Sequence, residues 1–335
     1  MIDIPEFRCH PLLRGGHRQT LVGFMLRGTG DGRSGQRHII ELPDGDQLVL
    51  HDDCPSSWGP SAPVALLMHG LSGCHQSSYL VRVAEKLRAR GLRTFRLDHR
   101  GSGAAENTAR YPYHAGRSDD VFEAVTRVRE LCRGSLIGAI GFSLSGNMLL
   151  KMLGEVEHRT ILPSELACAV AVNPPIDLEL CSQTLARKDN RIYDRHFTKW
   201  LYRLVEERIA RFPDAPRPTY QSIPSCLRDF DTSYTALAGG FDGIADYYAR
   251  CSSQQFVPTI QTPTLILTAQ DDPLIPASSF EKLPQNPVVR VHIAPHGGHL
   301  GYLGTRGNGD PDRRWMDWRV VDWLTAHLRP SGIGR

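Results

Sequence analysis

Residues 138–150 read GAIGFSLSGNMLL: a short apolar run, a join at Gly141 to Ser145, then an apolar run compatible with a helix. A serine on a sharp turn between a strand and a helix is the nucleophile-elbow pattern, G-x-S-x-G. Gly141-Phe142-Ser143-Leu144 fits it, but the fifth position holds Ser145 where the pattern has glycine. Ser143 can be read as a polar turn residue or helix N-cap. It can also be read as a reactive hydroxyl at a strand end, with a helix N-terminus beneath it that favours developing negative charge. The strand-before, helix-after context favours the second reading. Ser145 is the weaker candidate, because its own frame, Ser143-x-Ser145-x-Asn147, has no glycine to admit the turn. The fifth position needs a small side chain where the helix passes close to neighbouring strands. Serine is one hydroxyl larger than alanine, so the departure is expected to cost packing tolerance and leave the chemistry intact.

Outward from this stretch, strands and helices alternate. HIIELPDGDQLVL reads as a hairpin turning at Asp44-Gly45. VALLMH, LRTFRLD, SLIGAIGF and ACAVAVNPP read as buried strands, separated by the helical stretches SSYLVRVAEKLRARG, SDDVFEAVTRVREL and LSGNMLLKMLG. Repeated strand-helix-strand order argues a mostly parallel sheet with helices on both faces. The alternation stops at Pro174-Pro175 and resumes with TPTLILTAQDD and VVRVHIAPHGGH, and a tryptophan-rich helix closes the chain. Residues 176–258 are therefore expected to be a helical cap inserted into an α/β core of residues 37–175 and 259–335, after an N-terminal arm of residues 1–36. RGTGDGRSG, Arg27 to Gly35, reads as a flexible joint.

A serine hydroxyl becomes a nucleophile when a base takes its proton, and a third group must hold that base in one tautomer. The strand TLILTAQ is followed by Asp271-Asp272, and VVRVHIA by His296 and His299. Each falls just past a strand's carboxyl end, where sites form in open α/β sheets, in the chain order Ser, Asp, His. Asp272 is favoured over Asp271 because the following proline starts a turn that can lift its carboxylate. His299 is favoured over His296 because Gly297-Gly298 lets a loop bring its ring to the serine. Oxyanion donors are expected from the backbone N–H groups of Leu144 and of Leu71, in the HGLSG loop that His69 anchors. That loop has neither the spacing nor the lysine of a phosphate loop.

Composition narrows the classes. The 335 residues carry 39 basic and 36 acidic side chains, a net charge of +3, and that near balance gives no electrostatic case for nucleic acid or an anionic membrane surface. Eight cysteines at irregular spacing form no C-x-x-C pair and no zinc pattern, so free thiols in a reducing compartment are expected. MIDIPEFRCHPLL lacks a basic start and a long apolar run, and no stretch approaches a membrane span. The expectation is a cytoplasmic protein with no metal and no cofactor, acting on a small-molecule acyl ester, with transient contact to a lipid substrate compatible with that class.

LLRGGHRQT, MHGLSG, HRGSG, YHAGRSDD, GFSLSGNM, ADYYARCS, DDPLIP and HGGHLGYLG occur in this order. As a set they resemble the YheT-type branch of the α/β-hydrolase superfamily, which includes yeast medium-chain ethanol O-acyltransferases. The resemblance covers residues 10–328 and implies an α/β-hydrolase fold with the triad on Ser143, Asp272 and His299. The family's usual G-Y-S-L-G-G-N becomes G-F-S-L-S-G-N here, and neither change removes a reacting group. The reading that follows is a serine hydrolase for short- to medium-chain or lipid-like carboxylic esters. An alcohol O-acyltransferase using the same acyl-enzyme, and a silent ligand-binding scaffold, are the alternatives. Phe197, Trp200, Leu201, Leu204, Phe212 and Tyr220 of the insertion are expected to supply an apolar roof over the serine.

Overall fold

A computed structural model describes residues 3–26, 35–155, 161–220, 222–306 and 309–328 of the chain. Gln36–Glu41 (β1) and Gln47–Asp53 (β2) form the expected antiparallel hairpin. The joint read at Arg27–Gly35 falls, except for Gly35, outside the described residues. Val64–Met68 (β3), Arg93–Asp98 (β4), Ile137–Phe142 (β5), Leu166–Val172 (β6), Thr264–Ala269 (β7) and Val289–Ala294 (β8) complete an eight-stranded sheet of order β1-β2-β4-β3-β5-β6-β7-β8. β2 runs antiparallel to both its neighbours, and every pairing from β4 to β8 is parallel.

The fully buried strands read as continuous apolar runs because both faces are covered. Along β3, Val64, Leu66 and Met68 point into one core and Ala65 and Leu67 into the other. The first core is closed by Ser118–Leu131 (α3) and Leu144–Gly154 (α4), through Val121, Val125, Leu149 and Met152. The second is closed by Ser78–Arg88 (α2) and the C-terminal Trp315–His327 (α5), through Leu80, Leu87, Val320 and Leu324. Side chains of this size contribute about 1.5–3 kcal/mol each on full burial, so the two faces together outweigh any single polar contact. Between β6 and β7 the described residues form helices and turns and no strand. The longest are Leu178–Leu185 (α6), Arg191–Arg211 (α7) and Ile244–Cys251 (α8).

Residues 1–36, read as an arm, hold a helix, Gly16–Met25 (α9). It packs on the loops that follow β7 and β8. A Cβ on Gly16 would sit 1.7 Å from the Asp271 carbonyl oxygen, so only glycine permits that approach. Gln19 is fully buried. Its amide donates to the Leu303 and Leu13 carbonyls, both at 3.1 Å, and its carbonyl accepts the Leu303 N–H at 2.7 Å. The GGHRQT motif is thus a clamp on the segment just beyond His299. Gln19→Ala would leave the Leu303 N–H buried without a partner and take one of two donors from its carbonyl, which keeps the His10 N–H at 3.0 Å. It is expected to lower stability by about 1–3 kcal/mol, read as a shift in the urea unfolding midpoint.

Candidate active site

The β5–α4 join places Ser143 at φ 52°, ψ −120°, a region non-glycine residues rarely occupy. Neighbouring main chain holds it there. The Ser143 N–H donates to the Val172 carbonyl at 2.8 Å, and the Ser143 carbonyl accepts the Gly146 N–H at 2.8 Å. Gly70 crosses directly over it, and a Cβ on Gly70 would lie 2.9 Å from the Ser143 Cβ.

His299 Nε2 lies 2.9 Å from Ser143 Oγ, and its Nδ1 lies 2.9 Å from Asp272 Oδ2. With Nδ1–H donating to the carboxylate, Nε2 is the lone-pair nitrogen and accepts the serine hydroxyl. The other carboxylate oxygen, Oδ1, accepts the Leu274 and Ile275 N–H groups at 2.8 and 3.1 Å, in the turn that Pro273 starts. Asn173 donates to Asp272 Oδ2 at 2.6 Å and to the Gly298 carbonyl at 3.3 Å, while its own carbonyl accepts the Tyr302 hydroxyl at 3.0 Å. Thr20 of α9 accepts the His299 N–H at 2.8 Å. Asp271 serves the same loop from outside, accepting the Gly298 N–H at 2.9 Å and facing His296 Nδ1 at 3.3 Å. Asp272 and His299 therefore stand in the chain of hydrogen bonds to Ser143, and Asp271 and His296 stand beside it.

The loop after β3 carries Leu71, and the first residue of α4 is Leu144. Both line the same cavity as Ser143 and His299. The loop is tied down at several points. The Gly70 N–H donates to Tyr79 Oη at 3.0 Å, and His69 Nδ1 lies 2.8 Å from the Gly70 carbonyl. At its far end Asp98 accepts the His75 N–H at 2.6 Å, and His75 Nδ1 and His51 Nε2 each lie 2.8 Å from Asp98 Oδ2. Burial would raise the Asp98 pKa, but the hydrogen bonds from His51 and His75 outweigh it and hold the carboxyl below the usual carboxylate range. His51, His75 and Asp98 are also the described residues whose metal-ligand atoms cluster, and those atoms are engaged with one another.

Two cavities meet at Ser143. The inner one, of about 120 Å³, runs under the helical insertion between Leu178, Leu185, Leu201, Leu227 and Ile275. The outer one, of about 310 Å³, opens past Leu21 and Phe24 of α9 and Ile192 of α7. Of the aromatic and aliphatic residues expected as a roof, Phe197 lines both cavities and Leu201 the inner one. Trp200 and Leu204 line a separate small hollow beside Arg208. Phe212 lies under Arg110, and Tyr220 packs against Tyr202 and Phe230. Most of that set is consumed in holding the insertion together, and the leucines of α6 take its place around the cavity.

The family model of the α/β hydrolase fold matches residues 63–304. The chain belongs to the α/β-hydrolase family. Within it, the putative esterase YheT of Escherichia coli (strain K12) is 30% identical over 86% of this chain and 84% of its own, which sets the present hydrolase in the YheT-type branch. Medium-chain fatty acid ethyl ester synthase/esterase 2 of Saccharomyces cerevisiae is 28% identical over 78% of this chain and 62% of its own. Among solved structures, the Pyrococcus furiosus esterase Pf2001 superposes with a TM-score of 0.59 at 18% identity, covering 91% of this chain and 98% of that one, a likeness of fold. No helix among the described residues of the hydrolase is long and apolar enough to cross a membrane. All eight of its cysteines are free thiols.

Ser145, where the elbow pattern has glycine, is completely buried, so its hydroxyl cannot reach a substrate. Its Oγ donates a short hydrogen bond to the His69 carbonyl and lies 2.7 Å from His99 Nε2. Burial, and next the neighbouring His69, push the His99 pKa well below its ordinary value, so the ring is neutral and its Nε2–H donates to Ser145. The extra hydroxyl thus joins the loop carrying Leu71 to α4. Asn147, two residues on, makes another such link. It donates to the Ala115 and Cys251 carbonyls at 3.2 and 2.8 Å and accepts the Ser253 N–H at 2.9 Å. Three motifs far apart in sequence, YHAGRS, GFSLSGN and ADYYARCS, meet at this one amide.

Gln19, Thr20, Asn173 and Tyr302 escape the sequence reading as residues of the site. The available signals were the unexplained GGHRQT motif and an asparagine at the end of β6 before two prolines. Ser145→Ala is expected to lower stability by about 1–3 kcal/mol, because it strips partners from the buried His69 carbonyl and His99. Most of kcat/KM should remain, since no group facing the cavity is removed. Thermal unfolding and ester hydrolysis on the same preparation check both halves.

Proposed function

We propose that this hydrolase cleaves carboxylic esters through an acyl-enzyme on Ser143. The observation that carries the reading is the hydrogen-bonded chain Ser143 Oγ, His299 Nε2, His299 Nδ1, Asp272 Oδ2, with both links at 2.9 Å. Ester hydrolysis is the activity common to the names of the curated esterase and lipase relatives, among them the monoacylglycerol lipase of Saccharomyces cerevisiae. In the first step Ser143 Oγ bonds to the acyl carbon as His299 Nε2 takes its proton. The carbonyl oxygen becomes an oxyanion facing the N–H groups of Leu71 and Leu144. Collapse breaks the bond to the alcohol oxygen, which leaves with the proton from His299. Water then attacks the acyl-enzyme with His299 again as base, releasing the acid and restoring Ser143. Asp272 keeps Nδ1 protonated and stabilises the imidazolium formed in each half.

Residues 176–258 act as the cap. The leucine-lined inner cavity takes the acyl chain, and the outer cavity takes the alcohol side. An alcohol entering by the outer cavity in place of water would turn the same intermediate into an ester synthase, the second activity in the name of the yeast relative. Product analysis with added ethanol separates the two outcomes.

Ser143→Ala is expected to abolish fluorophosphonate labelling and to cut kcat by several powers of ten while leaving the fold intact. An adduct mapped to Ser145, or full activity in the variant, would overturn the assignment. Across a nitrophenyl ester series, each added methylene that finds room in the inner cavity should contribute about 0.8 kcal/mol, roughly fourfold in kcat/KM. The rise should stop and reverse once the chain outgrows the cavity. A steady fall from the acetyl ester onward would reject the acyl assignment of that cavity.

A further inference from the structure

Helix α9 is amphipathic in the wrong sense for a surface helix of a water-soluble domain. Such helices turn apolar side chains to the core and polar ones to solvent. In α9 the buried residues are Gln19 and Gly23. Leu21, Phe24, Met25 and the following Leu26 are between 43% and 77% exposed. The patch continues across the mouth of the outer cavity onto α7, where Ile192 is 72% exposed. His17 of α9 stacks on Tyr193 of α7 with ring centroids 5.8 Å apart, which joins the two helices. Residues 27–34, which follow in sequence, read RGTGDGRS and have no large apolar side chain to cover the patch. Contiguous exposed apolar side chains around a ligand cavity mark an interaction surface.

The chain as a whole is close to charge balance and makes no case for an anionic surface, so it is the local charges around the patch that select the occupant. Arg18 lies on the same exposed arc of α9 as Met25. At helical spacing Arg195 and Lys199 share a face of α7 with Ile192. All three are exposed. Apolar side chains level with a fringe of exposed cations are the chemistry of a helix lying in the headgroup region of an anionic bilayer. The patch is also continuous with the cavity that ends at Ser143 and His299.

We propose that α9 and the first turns of α7 dock this protein on an anionic lipid surface, with the mouth of the outer cavity facing the lipid. Esters partitioned into that surface then enter the cavity without crossing bulk water. This last step rests on the hydrolase reading above; the docking does not. The test is flotation with vesicles of phosphatidylcholine alone and of equal parts phosphatidylcholine and phosphatidylglycerol. The wild type is expected to float with the mixed vesicles and to be released by salt. Met25→Asp, and separately Arg18→Glu with Arg195→Glu, should each lower the bound fraction about tenfold or more. Hydrolysis of nitrophenyl acetate in solution should be unchanged in both, which shows that they fold. Ser143→Ala should float like the wild type, so a failure of the ester chemistry is distinguishable from a failure of docking. Absence of wild-type flotation would overturn the proposal, as would flotation untouched by either set of substitutions. So would a stable dimer by light scattering that Met25→Asp disperses, because the patch would then be an interface between copies.

Discussion

The arrangement depends on one backbone conformation, the φ 52°, ψ −120° turn at Ser143. A non-glycine residue there costs on the order of 1–3 kcal/mol and persists only where the surroundings over-determine it. Here they do. β5 is locked between β3 and β6, the Ser143 N–H is tied to Val172, and Gly70 lies against the Ser143 Cβ. The turn lifts Oγ clear of the sheet and aims the start of α4 at the same point. A relaxed turn would swing the hydroxyl away and leave His299 Nε2 without its serine partner.

The other constraints transmit that position to the loops. Asn173, itself at φ 46°, stands at the end of β6 one strand away and holds both the Asp272 carboxylate and the Gly298 carbonyl. Tyr302 holds Asn173 in turn, and Gln19 holds the backbone of Leu303. Asp272, His299 and the N-terminal helix are therefore one hydrogen-bonded unit built on buried polar groups. Such a unit is costly to leave half-made, and this favours a single geometry over an ensemble of loop conformations. On the other side of the serine, Ser145, His69 and His99 do the same for the loop that bears Leu71.

The helical insertion between β6 and β7 follows different constraints. Its aromatic residues mostly hold it together, through Tyr202, Tyr220, Phe230 and Tyr234. The cavity wall is shared by leucines of α6 and α7, by Phe197, Tyr247 and Tyr248, and by residues of the core loops. The outer cavity is lined on one side by α9, which gives the N-terminal segment a second task beyond clamping the histidine loop.

The order of strands and helices, the interruption after β6, and Ser143, Asp272 and His299 as candidates were all legible in the amino-acid sequence. Buried parallel strands are continuous apolar runs, and each candidate follows one at its carboxyl end, so local pattern carries the information. The choice of Asp272 over Asp271 was readable only as a preference drawn from the following proline. The tertiary structure separates the two by placing one carboxylate 2.9 Å from His299 Nδ1 and the other beside His296. The sequence did not reveal that Gln19 and Thr20 reach the histidine loop, or that Asn173 braces Asp272. Nor did it show that Ser145 is sealed from solvent, or that α9 turns its apolar side outward. Each of these depends on which segments lie against one another. Polar side chains carry no periodicity that reports a partner hundreds of residues away, and only the packed fold brings those partners within hydrogen-bond distance.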